Sequence, residues 1–322
     1  MLRALLLCLL PATAFAGVDE VIDQHILPGY DRFAAETNAL ADAAASTCDM
    51  AALAPAYGAA FDAWMGISHI QFGPIEEDGR VVAIAFWPDP KNRVGKALSR
   101  LIADADPIID TAEGFAEVSA AAHGLFALER LLFDPQDNPD YACALTRAAA
   151  RALADSADEM VAEWPAFADQ MRTAGAPGNM RFLSNQEVLG AIYTSLMTGL
   201  EFTKDQRLGR PLGTFDRPRP TMAEARRSGR SLRNVVLSLE ATRDLAFALS
   251  AQPAPDTALA YDQALEMANA LEDPTFEGVA DVSGRFRVEV LQHQVQTVVS
   301  VISDEIGLPM GLSAGFNALD GD

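Results

Sequence analysis

Apolar residues recur at spacings of three and four along nearly the whole chain, which is the pattern of amphipathic helices. A run with strand-like composition is confined to Val81 to Phe86. We therefore predict an all-α protein. The predicted helices cover residues 18–46, with a bend at Pro28, and residues 49–71, 91–103, 111–133, 141–172, 184–206, 221–250, 257–271 and 284–306.

Proline and glycine separate the predicted helices, and the segment Gly175 to Gly178 falls near the middle of the chain. We interpret this segment as a domain boundary. The prediction is then two packed helical bundles, residues 17–176 and residues 177–322. Short loops of this kind would equally join helices within one larger bundle.

Two of the predicted helix starts carry a capping box. In Ser184 to Glu187 and in Thr221 to Glu224, a hydroxyl residue is followed three positions later by a glutamate. The hydroxyl and the carboxylate can satisfy two backbone amides that have no partner within the helix. We therefore expect helices to begin at these two places.

The first residues have the features of a secretory signal peptide. Arg3 supplies a positive charge, residues 4–10 are apolar, and Ala14 to Ala16 form an A-x-A cleavage pattern. The apolar stretch is too short to span a bilayer, which takes about 20 residues. We predict cleavage near Ala16, a periplasmic location, and no transmembrane span in the mature protein.

Charge and apolar content narrow the range of partners. Half of the residues are apolar, which is enough for a substantial core, and the formal net charge is -21. Nucleic acids and anionic lipids repel such an acidic surface. We therefore expect neither nucleic acid nor an anionic membrane surface as a partner.

Two cysteines, Cys48 and Cys143, follow the predicted signal peptide. Neither has a second cysteine or a nearby histidine at a spacing suited to metal binding. Exported proteins meet an oxidising compartment. A single long-range disulfide between Cys48 and Cys143 is the resulting prediction.

The common enzyme signatures are missing from the sequence. It has no H-E-x-x-H pair for zinc, no G-x-S-x-G nucleophile turn, and no glycine-rich loop that would cradle a phosphate. Cysteines suited to haem or an iron–sulfur cluster are also missing. These gaps argue against the usual hydrolase and nucleotide-binding classes.

One carboxylate stands out because the segment around it, Ala120 to Phe133, is otherwise apolar. A buried carboxylate such as Glu129 needs a hydrogen-bond partner, a metal ion or a proton. The segment resembles the G-x-H-x-x-E helix of the imelysin-like family, with Gly124 at the glycine position and Glu129 at the glutamate position. Phe126 stands where the family motif has histidine.

Three other stretches resemble the same family. Trp64 to Ile75 resembles its tryptophan helix ending in a G-P turn, Leu208 to Gly213 resembles its central loop, and Gly307 to Asp322 resembles its C-terminal signature. The four similar stretches occur in order and span most of the chain after residue 16. We identify the chain by this resemblance as imelysin-like.

The resemblance implies two α-helical bundles, an exported protein, a role in iron acquisition, and a historical classification as an M75 metallopeptidase. It also implies partners among envelope or periplasmic metal-uptake proteins. The metal of such a protein would be iron or another divalent ion, and Glu129 would be a ligand. Phe126 argues against that site, because its side chain has no atom that can bind a metal. His123 does not replace the missing histidine, since on a helix it would lie about 120° away from Glu129.

Other candidate metal ligands lie elsewhere in the sequence. Glu289 and His293 have the spacing at which two helical side chains can meet one ion, or they are a solvent-facing pair. The segment Glu76 to Asp78 offers carboxylate oxygens to iron or calcium, or is a solvated loop. His25 and His69 stand alone in the sequence, and we expect surface or hydrogen-bonded helix residues there.

Arginines crowd into one region of this acidic chain. Three of them, Arg226, Arg230 and Arg233, repeat at helix spacing and should line one face. That face would bind an anion or an acidic partner, or its arginines would pair with carboxylates of the same chain. The region contains Arg207, Arg210, Arg217, Arg219, Arg226, Arg227, Arg230 and Arg233.

The function predicted from these observations is that of a periplasmic binding or accessory protein in iron acquisition. A metallopeptidase that uses Glu129 with a metal held elsewhere is the first alternative. The second is a metal-free interaction module that binds a partner through the arginine-rich face or through the C-terminal Asp320 to Asp322.

Overall fold

The computed structural model describes residues 17–313. The predicted signal peptide, residues 1–16, and the last part of the C-terminal signature, residues 314–322, lie outside this range. The helices are α1 (Val18–Val21), α2 (Leu27–Ser46), α3 (Met50–Ile67), α4 (Arg80–Ile84), α5 (Arg93–Asp104), α6 (Ala112–Ala116), α7 (Gly124–Phe133), α8 (Pro139–Arg172), α9 (Asn185–Phe202), α10 (Gly209–Leu212), α11 (Ser231–Leu249), α12 (Pro255–Asn269) and α13 (Val282–Ile302).

Shorter helical turns connect or extend these helices, and the all-α prediction is confirmed. No strand occurs within residues 17–313, and the strand-like run after Arg80 is helical in α4. None of the helices in the same range is long and apolar enough to cross a membrane. The π-helical turns are Ile22–Ile26, Thr203–Leu208 and Ser303–Gly307, and the 3-10 turns are Gly73–Gly79, Pro107–Asp110, Ala120–Ala122, Pro220–Met222 and Glu277–Ala280.

The core is built from long helices of both halves of the chain. Helix α2 packs against α3 and α8, while α11 packs against α3, α9 and α12. The buried side chains of both halves belong to one continuous apolar cluster. Gly175 to Gly178 lies in the turn between α8 and α9. The division into residues 17–176 and 177–322 stays a prediction.

The predicted helix over residues 111–133 is wrong as a single element. It is broken into α6, a 3-10 turn and α7. Gly124 has φ +67°, which ends any continuous helix, and a Cβ there would come within 2.2 Å of the carbonyl oxygens of Ala83 and Ile84. This close approach fixes the start of α7 against α4. His123 therefore precedes α7, so its predicted position around a helix has no meaning.

The predicted helix over residues 221–250 begins ten residues too early. Ala225 and Gly229 both have positive φ, and the α-helix starts only at Ser231. The capping box at Thr221 is therefore wrong, and Glu224 is buried instead. The capping box at Ser184 is confirmed, since its hydroxyl accepts the amide of Glu187 at 3.3 Å.

Cys48 and Cys143 form a disulfide that ties the end of α2 to α8. Their Cα atoms are 5.5 Å apart, and 95 positions separate them in the sequence. Closing a loop of this length stabilises the folded chain by roughly 4 to 5 kcal/mol, chiefly by restricting the unfolded state. The bond fixes the helix pair on which α3 and α7 rest.

Candidate functional site

A cleft of about 660 Å³ lies between the C-terminal end of α3, the segment that follows it, α7 and α9. Five of its lining side chains are aromatic. They are Trp64, Phe72, Trp87, Phe126 and Phe202.

The aromatic side chains support one another. Phe126 stacks on Trp87 with ring centroids 6.3 Å apart and an interplanar angle of 15°. It also meets Phe61 edge to face at 5.6 Å, and Phe202 meets Trp87 in the same way at 5.8 Å. Such pairs contribute about 0.5 to 1.5 kcal/mol each beyond simple burial. Phe126 is therefore part of a packed aromatic wall.

Two histidines form the polar part of the cleft. Nε2 of His69, in the cleft wall, and Nε2 of His25 are 2.8 Å apart and share one hydrogen bond. Burial lowers the pKa of His25 to about 4 and holds the pKa of His69 well below its usual range, to which His25 and Arg207 also contribute. Both rings are therefore neutral at pH 7. Nδ1 of His69 is buried and has no hydrogen-bond partner within the described residues.

An ion pair lies beside the histidines. Nε of Arg207 donates to Oε2 of Glu224 at 2.8 Å, and both side chains are about 95 % buried. Nδ2 of Asn234 donates to the same carboxylate oxygen at 3.0 Å. Both charged residues line the cleft, so they add polarity to it without adding net charge.

Glu129 lies on α7 and is 2 % exposed. Its Oε1 accepts the backbone N–H of Ser228 at 3.0 Å and the hydroxyl of Ser228 at 2.8 Å. Burial raises the pKa of Glu129, and the two donors from Ser228 oppose that rise. The carboxylate thus anchors the turn before α11, which sequence reasoning did not identify as its partner.

Known proteins place this architecture in a family. The family profile described as imelysin, peptidase M75, matches residues 26–302. The chain belongs to the imelysin family. No curated protein shows significant similarity to it.

Two solved imelysin-type structures have the same fold. An imelysin-like protein from Psychrobacter arcticum 273-4 superposes with a TM-score of 0.77 at 19% identity, over 93% of this chain and 96% of the other. A "putative iron-regulated protein A precursor" from Parabacteroides distasonis ATCC 8503 superposes with a TM-score of 0.73 at 14% identity, over 90% and 94%. At these identities, the likeness establishes the fold alone.

The residues at the imelysin motif do not fit a metal ion. Phe126 offers no donor atom, and an oxygen of Glu129 is held by two donors from Ser228. Nowhere in residues 17–313 do three or more His, Cys, Asp or Glu side chains converge in a group that could hold a metal. Metal binding by this chain stays a prediction.

The other candidate ligands are found apart from the cleft or engaged elsewhere. Oε1 of Glu289 accepts from Arg285 at 2.7 Å, and His293 is exposed. His123 packs on Phe115 with ring centroids 4.2 Å apart. These contacts indicate structural roles. Within residues 17–313, Glu289, His293 and Glu129 do not belong to any group of side chains that could hold a metal.

The acidic segment lies at the mouth of the cleft. Glu76 is exposed and lines the cleft, and its Oε2 accepts the backbone N–H of Gly73 at 3.1 Å. The same oxygen lies 3.2 Å from the guanidinium of Arg181. Glu76 is therefore paired within the chain.

The predicted arginine face is wrong as a helical stripe, because α11 begins after Arg230. Arg230 and Arg233 both bind the carboxylate of Asp62. Arg227 binds Asp134 at 2.8 Å. Within the predicted face, pairing within the chain is thus observed for Arg230 and Arg233. Nε of Arg226, the third member, is buried and has no hydrogen-bond partner within the described residues.

Sequence reasoning missed most of the cleft. His25 and His69 are 44 positions apart, and no spacing rule connects them. Glu224 was assigned to a helix start, which hid its pairing with Arg207. Two signals were available in the sequence. One was the phenylalanine at position 126, and the other was the stretch Trp64 to Ile75, which supplies Trp64, His69 and Phe72 to the cleft.

Proposed function

We propose that this imelysin-family chain is a periplasmic binding protein with an accessory role in iron acquisition, and that it acts through the aromatic cleft without catalysis. The observation that carries the proposal is the wall around Phe126. The motif position that would hold a metal-binding histidine instead packs between Trp87 and Phe61 and lines a cleft of about 660 Å³.

The state of Glu129 supports a non-catalytic role. A general base must reach its substrate, but Glu129 is 2 % exposed and does not line the cleft. Its bonds to Ser228 give it a structural role. Membership of the imelysin family and the iron-regulated name of one structural neighbour support the link to iron.

A genetic complementation experiment tests this role. In the organism that carries the gene, deletion should slow growth when a chelator limits iron, and the wild-type gene should restore growth. A gene with Glu129→Gln should restore it too, because that side chain does not reach the cleft. A gene with Ala191→Trp should fail, because the indole fills the cleft. Equal rescue by both variants would contradict the proposal.

The location and the absence of peptidase activity are checked separately. The mature protein should begin at Gly17 and appear in the periplasmic fraction. Peptides incubated with it should remain intact, as should peptides incubated with the Glu129→Gln variant. Cleavage that is lost in Glu129→Gln would select the metallopeptidase alternative instead.

Metal binding is tested by titration with Fe(II) and elemental analysis. The wild type is compared with Glu129→Ala and with Glu289→Ala/His293→Ala. The proposal expects the same iron content in all three proteins, since these side chains are engaged or exposed. Stoichiometric iron that disappears in one variant would locate a resident metal site there.

One observation favours an interaction module as the second candidate. Arg217 and Arg219 are exposed, and within residues 17–313 neither has an ion pair. Phe215 beside them is 69% exposed. An acidic partner with an apolar contact would fit this loop. Charge reversal at Arg217 and Arg219 should then abolish growth rescue while leaving ligand binding in the cleft unchanged.

A further inference from the structure

The size and walls of the cleft suit a small organic molecule. Sites for such ligands usually enclose about 300 to 1,000 Å³ and are lined mostly by apolar and aromatic groups. This cleft encloses about 660 Å³, and five aromatic side chains line it. Aromatic side chains in the lining favour an aromatic occupant.

The charges of the cleft favour an occupant without net charge. Three charged side chains line it, and each is already paired. Arg207 binds Glu224, and Glu76 at the mouth binds Arg181. A buried ligand charge would therefore find no free counter-charge among the side chains that line the cleft, and it would lose its hydration without compensation. A bare metal cation fails for the same reason and for lack of a ligand set.

One polar atom in the wall requires a partner. Nε2 of His69 is engaged by His25, so Nδ1 lies on the other side of the ring, and it has no hydrogen-bond partner within the described residues. An unsatisfied buried polar atom lowers stability, and a ligand that bonds to it removes that penalty. Nδ1 donates in one tautomer and accepts in the other. A hydroxyl group can satisfy either tautomer, because it both donates and accepts.

We propose that the cleft binds an uncharged aromatic molecule whose hydroxyl group hydrogen-bonds to Nδ1 of His69, with the ring lying against the wall formed by Trp87, Phe126 and Phe202. This inference rests on the proposed binding role of the cleft and specifies its ligand class.

Three naphthalene compounds test the ligand class, using the protein from Gly17 to Asp322 with its disulfide intact. The probes are 2-naphthol, naphthalene and 2-naphthalenesulfonate, measured by equilibrium dialysis. The hydrogen bond to His69 should make 2-naphthol bind roughly tenfold more tightly than naphthalene. The sulfonate should bind most weakly. Equal binding of all three, or tightest binding of the sulfonate, would overturn the proposal.

Variants locate the binding. Ala191→Trp fills the cleft from α9 and should reduce 2-naphthol binding at least tenfold. Ala39→Trp, at an exposed position on α2, is the matched control and should bind like the wild type. His69→Leu should lower the affinity for 2-naphthol to that for naphthalene. Because it also removes a partner from His25, its folding is checked by thermal unfolding. Unchanged 2-naphthol binding in Ala191→Trp would overturn the proposal even if His69→Leu did not fold.

Growth rescue and ligand binding together separate the ligand class from the role in iron acquisition. If Ala191→Trp blocks growth rescue but no naphthalene compound binds, the ligand class is wrong and the role stands. If 2-naphthol binds in the cleft but Ala191→Trp restores growth fully, the role in iron acquisition fails and the ligand class stands.

Discussion

Two buried polar clusters, one around Glu129 and one around His69, differ in which of their polar atoms already have partners. Around Glu129, the donors of Ser228 hold the carboxylate in place. Around His69, the ring binds His25 through one nitrogen and leaves the other without a partner within residues 17–313. Glu129 of the first cluster does not line the cleft, whereas His69 of the second cluster does.

The comparison shows that a residue at a motif position need not be the residue that is available to bind a ligand. Glu129 occupies the glutamate position of the family motif, yet its environment makes it a structural anchor. His69 belongs to no motif, yet its Nδ1 has no hydrogen-bond partner within the described residues. Phe126, also on α7, has no atom that can bind a metal, and it contributes to the aromatic wall of the cleft.

The largest expected effect concerns the ion pair beside the cleft. Arg207→Met leaves Glu224 buried without a counter-charge, which should lower the free energy of unfolding by about 3 to 5 kcal/mol. Adding Glu224→Gln removes the stranded charge and keeps an acceptor for Asn234, so most of the loss should be recovered. Urea unfolding of the single and double variants measures this. A double variant less stable than Arg207→Met would contradict the account.

The histidine pair should make stability sensitive to acid. The pKa of His25 is about 4 in the folded chain and 6.5 when unfolded, so its stabilising contribution is complete above pH 6.5 and is lost as the pH falls toward 4. Between pH 7 and pH 4, the wild type should lose about 3 kcal/mol relative to His25→Gln. The check is urea unfolding of both proteins at each pH. Parallel pH profiles would show that the pair does not titrate in this way.

The stability of the Glu129 cluster should depend on the hydrogen bonds of Glu129 rather than on its charge. Glu129→Ala leaves the buried N–H of Ser228 without its acceptor and should cost about 2 kcal/mol. Glu129→Gln keeps a carbonyl acceptor and should cost less. Thermal unfolding compares the two variants. If Glu129→Gln is as destabilising as Glu129→Ala, a charge-dependent role for Glu129 is indicated.

A smaller effect is expected from the aromatic wall. Phe126→Leu keeps an apolar side chain but removes the stack on Trp87, which should cost about 1 kcal/mol. It should also weaken 2-naphthol binding several-fold, while Glu129→Gln leaves that binding unchanged. Calorimetric titration gives both values. Tighter binding after Phe126→Leu would show that the phenyl ring obstructs the cleft.

The helices that the sequence predicted well are those that form because of local sequence pattern. Helical periodicity predicted α2, α8, α9, α12 and α13 within a few residues, and the Ser184 capping box predicted the start of α9. Errors arose where tertiary contact overrides local preference. The predicted helix is interrupted at Gly124, where α4 approaches the backbone closely. The contacting residues of α4 lie about forty positions earlier in the sequence, so local pattern does not reveal them.

The candidate site was less predictable than the fold, because its partners are distant in sequence. Glu129 was predicted to be buried and bonded, but Ser228 lies 99 positions away. The pairing of Arg230 and Arg233 with Asp62 spans about 170 positions. Charge spacing alone predicted one arginine face and left open whether it binds a partner or pairs with carboxylates of the same chain. Only packing of α3 against α11 brings the neutralising carboxylate to these arginines.

The most direct test of the account follows the histidine side-chain nitrogens by NMR in protein labelled with ¹⁵N-histidine. His25, His69, His123 and His293 are assigned by single substitutions to glutamine, and 2-naphthol is then added. We expect the Nδ1 signal of His69 to shift in step with binding and the signals of His25 to follow through the shared hydrogen bond. The signals of His123 and His293 should stay unchanged. Binding of 2-naphthol that leaves the His69 signals unmoved would contradict the claim that this cleft is the functional site.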